Sequence, residues 1–260
     1  MTYTHSAEFP IVFDAHLKAK GLSLQPHLDL HQALQEMGLA IGRPTLVIIG
    51  GAQFFGAVDE RVRKLFITVL APLAEKWGAN VIDGGTNAGV MRLMGQARSE
   101  LKATFPLIGV VPADLAVIPQ DRNVPENKDG CLEPNHTHFF LVPGEAWGDE
   151  SPWLAEVATA LAGDAPSVTV LINGGEVTWK DARANVDEDR ELIVIEGTGR
   201  TADLLASAAR GRDTDDRATS LIQSGLVKIT NLKENKAVLS AMIEDIFQYR
   251  KSHHHVQQGF

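Results

Sequence analysis

A short apolar run that ends directly in glycine occurs four times in the chain, and this pattern constrains the fold most. The four segments are LVIIGGAQFF (46–55), VIDGGTNAGVM (81–91), VLINGGEVTWKDA (170–182) and VIEGTGRTADLL (194–205). Near-continuous apolar runs of this length are typical of strands that are buried on both faces of a parallel sheet. Amphipathic segments separate the runs, so the pattern predicts strands joined by helices.

Seven strands are predicted in this way. The expected fold class is therefore α/β, with a Rossmann-like, doubly wound and mostly parallel sheet of about seven strands and helices on both faces. The predicted strands are Thr45–Ile49, Asn80–Asp83, Pro106–Val111, His138–Val142, Ser167–Ile172, Glu191–Ile195 and Leu226–Thr230.

Helical periodicity is found before, between and after these strands. In the segment 59–77, apolar side chains recur at the spacing of one helix face, and Pro72 is expected to kink or end that helix early. Ser151 is predicted to cap a helix that has Pro152 at its first position. The other predicted helices lie near His27–Met37, over Ala88–Leu101 and from Glu234 to Tyr249.

The pattern divides the chain into three parts. Residues 1–43 lack a clean periodicity over most of their length and are interpreted as an N-terminal extension that packs on the core or on another subunit. Residues 44–250 form the predicted nucleotide-binding domain, and residues 251–260 a flexible tail. Within the domain, the segment 112–135 holds four prolines and is expected to be a long loop that closes over a ligand.

Charge and cysteine content exclude several classes of partner. The net charge of −9 argues against binding to nucleic acid or to an anionic membrane, although backbone N–H groups can still hold one phosphate-bearing small molecule. Cys131 is the only cysteine, which indicates a reducing compartment. No secretory signal or apolar stretch of about 20 residues is found, so a cytoplasmic protein is expected. We interpret His253–His255 as incidental and expect no metal site.

The glycine loops are the candidate ligand site. Glycine at the carboxyl end of a strand lets backbone N–H groups approach a ligand without a Cβ in the way, and a helix that follows adds its positive end. Four such loops would open on one edge of the same sheet. None of them matches the G-x-G-x-x-G fingerprint or a Walker A loop, which argues against an ordinary dehydrogenase and a P-loop NTPase.

Polar residues in these loops have predicted roles. Thr86 and Asn87 are expected to donate hydrogen bonds to phosphate or ribose. Arg200 is expected to make a fork-like contact with a pyrophosphate, and its alternative role is a surface salt bridge with Asp203 or Glu196.

Two histidines precede an apolar run in the segment LEPNHTHFFLV. His136 and His138 would point to one face of a strand and act together. Metal binding, acid–base catalysis and hydrogen bonding that fixes the neighbouring loop are the alternatives, of which the last is favoured. The stretch GEAWGDE (144–150) is interpreted as a solvated turn, with contact to ribose hydroxyls as the alternative.

The order of these motifs resembles the cytosolic N-terminal domain of TRPM channels. The segments GGAQFF, GGTNAGVM, IGVVP, LEPNHTHFFLV, LINGGEV and VIEGTGRTADLL carry the resemblance, which covers residues 44–206. The chain looks like the stand-alone prokaryotic form of that SLOG (LSDAT) domain. This resemblance implies a Rossmann-like sensor that binds ADP-ribose, cyclic ADP-ribose or a similar NAD-derived nucleotide, without a further cofactor and as a homo-oligomer. The predicted ligand-binding residues are Gly50, Gly51, Gln53, Gly84, Gly85, Thr86, Asn87, Gly89, His136, His138, Gly174, Gly175, Glu176, Gly199 and Arg200.

The SLOG superfamily also contains the Lonely-guy phosphoribohydrolases, which carry a P-G-G-x-G-T-x-x-E loop. Here the loop reads NGGEVTWKD (173–181), with asparagine in place of proline and valine in place of the third glycine. The paired arginine motif of those enzymes is not visible either. Binding without turnover is therefore the favoured prediction, and the alternative is a nucleotide N-glycosidase that uses Glu176 or Asp181 as its acid–base group. A third alternative is an assembly module with a vestigial pocket.

Overall fold

The computed structural model describes residues 8–26, 28–52, 59–119, 130–212, 215–234 and 236–257. Within these ranges it contains one nine-stranded sheet with the order β1-β2-β6-β5-β4-β3-β7-β8-β9. All neighbouring strands are parallel except β1 and β2. The strands are β1 (Phe9–Val12), β2 (Lys18–Ser23), β3 (Thr45–Gly50), β4 (Asn80–Asp83), β5 (Leu107–Pro112), β6 (His138–Val142), β7 (Ser167–Ile172), β8 (Glu191–Glu196) and β9 (Val227–Asn231). The predicted Rossmann-like α/β fold is confirmed, with two more strands than expected.

The two additional strands come from the N-terminal segment. β2 lies parallel to β6, and β1 pairs antiparallel with β2 at the edge of the sheet. Sequence patterns missed β2 because Lys18 and Lys20 interrupt it, and Lys20 forms an ion pair with Glu8 at 3.0 Å. Gly21 lacks a side chain because a Cβ there would lie 2.6 Å from the ring of Phe9.

Helices cover both faces of the sheet, as expected of a doubly wound fold. Leu46 and Ile48 of β3 face the core that α2, α3, α4 and α9 cover, whereas Val47 and Ile49 face the core of α1, α5, α6, α7 and α8. The helices are α1 (Leu30–Glu36), α2 (Asp59–Leu65), α3 (Ala71–Trp77), α4 (Gly89–Glu100), α5 (Ser151–Ala162), α6 (Glu176–Asp187), α7 (Arg200–Ala209), α8 (Asp216–Gln223) and α9 (Lys236–Gln257).

Pro72 does not end the helix in which it lies. A π-helical segment over Phe66–Leu70 joins α2 to α3, and the N–H of Ala71 bonds to the carbonyl of Phe66, five residues back. Pro72 therefore falls in the first turn of α3, where an N–H is not needed. At the other end of the chain, α9 continues to Gln257, through residues where a flexible tail was predicted. The side chains of residues 249–260, His253–His255 included, are outside the described part.

No helix in the described ranges is long and apolar enough to cross a membrane.

The largest buried side chain is charged. Arg190 is 2% exposed and donates hydrogen bonds to Ser167 Oγ (3.1 Å), Thr159 Oγ1 (2.7 Å), the carbonyl of Ala155 (3.1 Å) and Asn185 Oδ1. Burial lowers the pKa of Arg190 to about 10, so the guanidinium stays charged at neutral pH. The hydrogen bonds of Arg190 therefore link α5, α6 and β7.

Substitution of Arg190 by methionine is expected to lower the free energy of unfolding by about 3 kcal/mol, because its buried acceptors lose their donors. Urea denaturation measures the loss. Arg183→Met on the preceding helix α6 is the matched control, since Arg183 is exposed and pairs only at the surface, where the expected loss is below about 1 kcal/mol. Equal stability of the two variants would contradict a role of Arg190 in joining the layers.

Candidate functional site

A cavity of about 380 Å³ opens at the carboxyl ends of β3, β4 and β7. The chain order reverses here, because β4, β5 and β6 extend the sheet on one side of β3 and β7, β8 and β9 extend it on the other. The connections from β3 and β7 enter helices on opposite faces, which leaves a crevice between them. Ligands of open α/β sheets bind at such a reversal.

The structure brings about half of the predicted ligand-binding residues to this cavity. Its walls include Gly50, Gly51, Gly84, Thr86, Gly175, Glu176 and Arg200. The other predicted residues do not line it, namely Gly85, Asn87, Gly89, His136, His138, Gly174 and Gly199. Gln53 lies outside the described residues.

Some of these glycines are needed where loops pack on each other, and not for approach to a ligand. Gly89 has φ +44°, and a Cβ there would lie 1.8 Å from the carbonyl oxygen of Gly51. The same carbonyl accepts a hydrogen bond from the N–H of Val90 at 3.2 Å. The loop after β3 and the start of α4 are therefore held together, and this contact shapes one wall of the cavity.

Arg200 faces the cavity from the start of α7. Its Nη2 lies 3.1 Å from the position that a Cβ on Gly175 would occupy. The predicted alternative partners are engaged elsewhere, since Asp203 accepts a hydrogen bond from the N–H of Gly197 (2.6 Å) and Glu196 pairs with Arg210 (2.5 Å). No hydrogen bond or ion pair holds the guanidinium of Arg200 within the described ranges.

Hydrogen bonds between two loops fix the position of Arg200. Asn173 Nδ2 donates to the carbonyl of Thr198 (2.6 Å), and Thr198 Oγ1 accepts from the N–H of Asn173 (2.7 Å). Both Asn173 (φ +63°) and Arg200 (φ +51°) have left-handed backbone conformations, which non-glycine residues rarely adopt. Such strain is often found at functional sites.

His136 fixes the Gly84–Gly85 loop from behind the cavity. Its Nε2 lies 2.9 Å from Asp83 Oδ1 and its Nδ1 lies 2.8 Å from Glu133 Oε2. Asp83 Oδ1 also accepts a hydrogen bond from the N–H of Gly85 at 2.7 Å. Burial disfavours the charge of His136, but the two carboxylates outweigh this effect and raise its pKa to about 9.

The two histidines do not act as a pair. His136 lies in the turn before β6 and stacks on Phe139, which packs with Ile11 and Leu141, whereas Phe140 on the opposite face packs with Leu22. His138 bonds instead to Thr137 Oγ1 at 2.7 Å. Burial and the charge of Lys20 lower its pKa to about 4. The expectation that the two rings share one face was wrong because His136 precedes the strand.

Two buried carboxyl groups line the cavity opposite the glycine loops. Asp181 on α6 accepts a hydrogen bond from Ser151 Oγ at 2.5 Å, so Ser151 does not cap α5 as predicted. Burial raises the pKa of Asp181 to about 7, the bond from Ser151 opposes the shift, and the charge of Glu150 adds to it. Burial also raises the pKa of Glu150. Asp181 can therefore take part in proton exchange near neutral pH.

The spacing of residues 173–181 aligns Asp181 with an acidic residue of the Lonely-guy loop. Counted from Asn173, Asp181 is the ninth residue, which is the position of the glutamate in the P-G-G-x-G-T-x-x-E loop of Lonely-guy enzymes. At the first position, a proline is incompatible with the φ of +63° that Asn173 adopts. The carboxyl position of that loop is thus retained, and its backbone conformation is not.

Sequence patterns missed Trp147 and Glu150, which both line the cavity. The stretch GEAWGDE was interpreted as a solvated turn because it is acidic. Trp147 is 36% exposed, which agrees with a solvated turn, whereas Glu150 is buried and its Oε2 accepts a hydrogen bond from the N–H of Gly148 at 2.6 Å. The available signal was a tryptophan in a loop directly after the carboxyl end of a buried strand, β6.

Most of the chain matches the model of one protein family. The family model described as "SLOG in TRPM, prokaryote" matches residues 43–240. This range includes every strand that lines the cavity.

Curated relatives are similar over a small part of their own length. Transient receptor potential cation channel subfamily M member 2 of Mus musculus is 26% identical over 226 residues, which cover 74% of this chain and 15% of the channel. The member-like 2 protein of Nematostella vectensis is 27% identical, covering 67% of this chain and 14% of its own length. Member 6 of Homo sapiens is 26% identical, and the match covers 74% of this chain and 11% of the channel.

A solved structure supports the fold. The X-ray structure of TM1055, a target of the Northeast Structural Genomics Consortium, superposes with a TM-score of 0.51 at 19% identity. The match covers 78% of this chain and 99% of TM1055.

His136→Gln is expected to lower stability by about 3 kcal/mol at pH 6 and to remove part of its pH dependence, because two buried carboxylates lose a positive partner. The folded-state pKa of about 9 lies above the unfolded value of 6.5, so this stabilisation is complete below pH 6.5 and is lost as pH rises through 9. Urea denaturation between pH 6 and 9.5 measures both effects.

His138→Gln is the control for this titration. The pKa of His138 is lowered, so His138 affects stability only below about pH 6.5. An unchanged slope in His136→Gln between pH 6.5 and 9 would show that His136 is not charged in the folded protein.

Proposed function

The chain belongs to the prokaryotic family of SLOG domains related to those of TRPM channels, and we propose that it binds an NAD-derived nucleotide of the ADP-ribose type. Family membership and the Rossmann-like fold support a nucleotide-related role. The observation that carries the proposal is the unpaired guanidinium of Arg200, which faces a cavity built from glycine loops at the reversal of strand order.

One end of the cavity suits phosphate. Arg200 offers a planar fork of donors, which matches two phosphate oxygens. Gly175 lies beside it and precedes α6, whose first-turn N–H groups have no acceptor within the helix. Gly50 and Gly51 let the backbone approach from the opposite wall.

Other wall residues of the cavity suit a nucleoside. Carboxyl oxygens of Glu150 and Asp181 can accept hydrogen bonds from ribose hydroxyls. Trp147, Leu154 and Met91 provide the apolar surface that a base requires. A ligand with both a nucleoside and a pyrophosphate, such as ADP-ribose or cyclic ADP-ribose, matches this division. We expect the chain to act as a sensor of that ligand, with the predicted homo-oligomer as its working form.

Arg200→Ala is expected to weaken the binding of ADP-ribose by about 1.5–3 kcal/mol, which corresponds to roughly 10- to 150-fold in Kd, because a charge-assisted bond to phosphate is lost. Isothermal titration calorimetry with ADP-ribose, cyclic ADP-ribose and ADP measures the change.

Arg210→Ala is the matched control for Arg200→Ala. Arg210 follows the same helix, and its side chain pairs with Glu196 and does not line the cavity. Equal affinities for wild type and Arg200→Ala would remove Arg200 from the site. Absence of binding to any nucleotide of the panel would contradict the proposed function itself.

A second candidate function is hydrolysis of an N-glycosidic bond, which the position and pKa of Asp181 favour. In this reaction water attacks the anomeric carbon, the bond to the base breaks, and the base leaves with a proton. A buried carboxyl group with a pKa of about 7 can supply or accept that proton near neutral pH. The products would be the free base and the ribose phosphate.

Asp181→Asn is expected to abolish any such release, by at least 100-fold, and to retain nucleotide binding within a few fold. Chromatography of incubated nucleotides measures release, and its pH profile should show an inflection near pH 7 in wild type. Glu176→Gln tests the other carboxyl group named for this role, and release is expected to persist in this variant because the Glu176 side chain is 82% exposed and pairs with Arg217. No release by wild type would leave binding alone as the function.

Asp181→Asn is also expected to change how the stability of the protein depends on pH. The pKa of Asp181 is raised from 3.8, so its ionisation destabilises the fold as pH rises from about 4 to 7. Asp181→Asn should therefore gain stability relative to wild type at pH 8 and not at pH 4, measured by thermal unfolding. An equal difference at both pH values would contradict the raised pKa.

A further inference from the structure

A second and larger cavity lies beside the proposed nucleotide site. This helix groove has a volume of about 890 Å³ and is lined by residues of α5, α6 and α8. It shares three wall residues with the nucleotide cavity, namely Trp147, Glu176 and Val177. The two spaces are therefore adjacent and share one wall.

The floor of the groove suits a flat aromatic group. Pro152, Ala155 and Leu221 contribute apolar surface, and Trp147 contributes the partly exposed indole at the shared wall. On α8, the guanidinium of Arg217 stacks over the ring of Trp179 at 4.6 Å. Aromatic and guanidinium planes are the surfaces on which nucleobases stack.

Lys180 gives the groove a cation without a direct partner. Its side chain lies over Gly148, and its ammonium makes no hydrogen bond or ion pair in the part of the chain that the structure describes. The arginines of the groove differ, because Arg183 pairs with Asp187 and Arg217 pairs with Glu176.

Lys180 and Arg200 thus lie on either side of the shared wall, one in each space, and both are available to an anion. A negatively charged group placed over the shared wall would be attracted by both.

The charges at the rim of the groove decide between possible occupants. Glu156 and Glu188 line it, so a polyanion such as a nucleic acid would be repelled along its length. The same carboxylates can accept hydrogen bonds from sugar hydroxyls. A small ligand with one charged centre and a neutral aromatic end fits this distribution.

We propose that the helix groove is a second nucleoside subsite and that the ligand is a dinucleotide. Its pyrophosphate crosses the shared wall between Arg200 and Lys180, one nucleoside occupies the cavity, and the other lies in the groove against Trp147. This inference rests on the proposed function and extends its ligand class from ADP-ribose, which has one base, to the parent dinucleotide NAD, which has two.

NAD, ADP-ribose and ADP form a matched series for the test, because NAD differs from ADP-ribose by one base and ADP lacks the second ribose as well. Calorimetry with wild type is expected to give at least 10-fold tighter binding of NAD than of ADP. Ala184→Phe projects from α6 into the groove and not into the cavity. This variant should bind NAD at least 10-fold more weakly than wild type, and its affinity for ADP should stay within 2-fold.

Lys180→Gln tests the positive charge at the junction of the two spaces. It should lower the affinity for NAD and for ADP-ribose at least 5-fold. Lys64→Gln is its control, an exposed lysine on α2 that pairs with Glu60. Thermal unfolding of each variant confirms that it is folded.

Equal affinities for NAD and ADP in wild type, or an unchanged affinity for NAD in Ala184→Phe, would overturn the second subsite and leave the proposed function intact. Absence of binding to all three ligands would overturn both.

Discussion

The reversal of strand order at β3 is the constraint on which the rest of the structure depends. Burial of both faces of the sheet forces the helices after β3 and β7 to opposite sides, because alternate residues of each strand belong to different cores. The two loops then diverge, and the cavity opens between them. Gly50, Gly51, Gly175 and Glu176 line it from these two loops, and the segments after β4, β6 and β8 complete its walls.

Charged groups have different roles on the two sides of the cavity. Behind the Gly84–Gly85 loop, His136 is charged and lies between two carboxylates, so the loop is held firmly. On the side of α6, Asp181 and Glu150 share a buried region without an opposite charge in contact, and both have raised pKa values. The first arrangement stabilises a wall, whereas the second disfavours the charged form of both carboxyl groups and brings the pKa of Asp181 to about 7, where a ligand or a proton can change its charge.

The fold could be predicted from the sequence where strands are buried on both faces, since runs such as Ser167–Ile172 have no polar interruption. β2 was missed because Lys18 and Lys20 interrupt its apolar pattern. Within the site, Arg200 was predictable from its place after a glycine loop. His136 was not, because its partners Asp83 and Glu133 come from other segments and only the folded chain joins them. Trp147 was hidden by its acidic neighbours.

Two residues that depart from the Lonely-guy loop shape the surroundings of the cavity. Val177 occupies the position of the third glycine and forms part of the wall between cavity and groove. A glycine there would leave that wall without a side chain. Asn173, in place of proline, adopts φ +63° and bonds to Thr198, which positions Arg200 on the cavity side of the same wall. The carboxyl group of Asp181 is kept, so the departures change the shape and charge around it. They alter which ligand reaches Asp181 more than they alter the acid–base chemistry that Asp181 itself can perform.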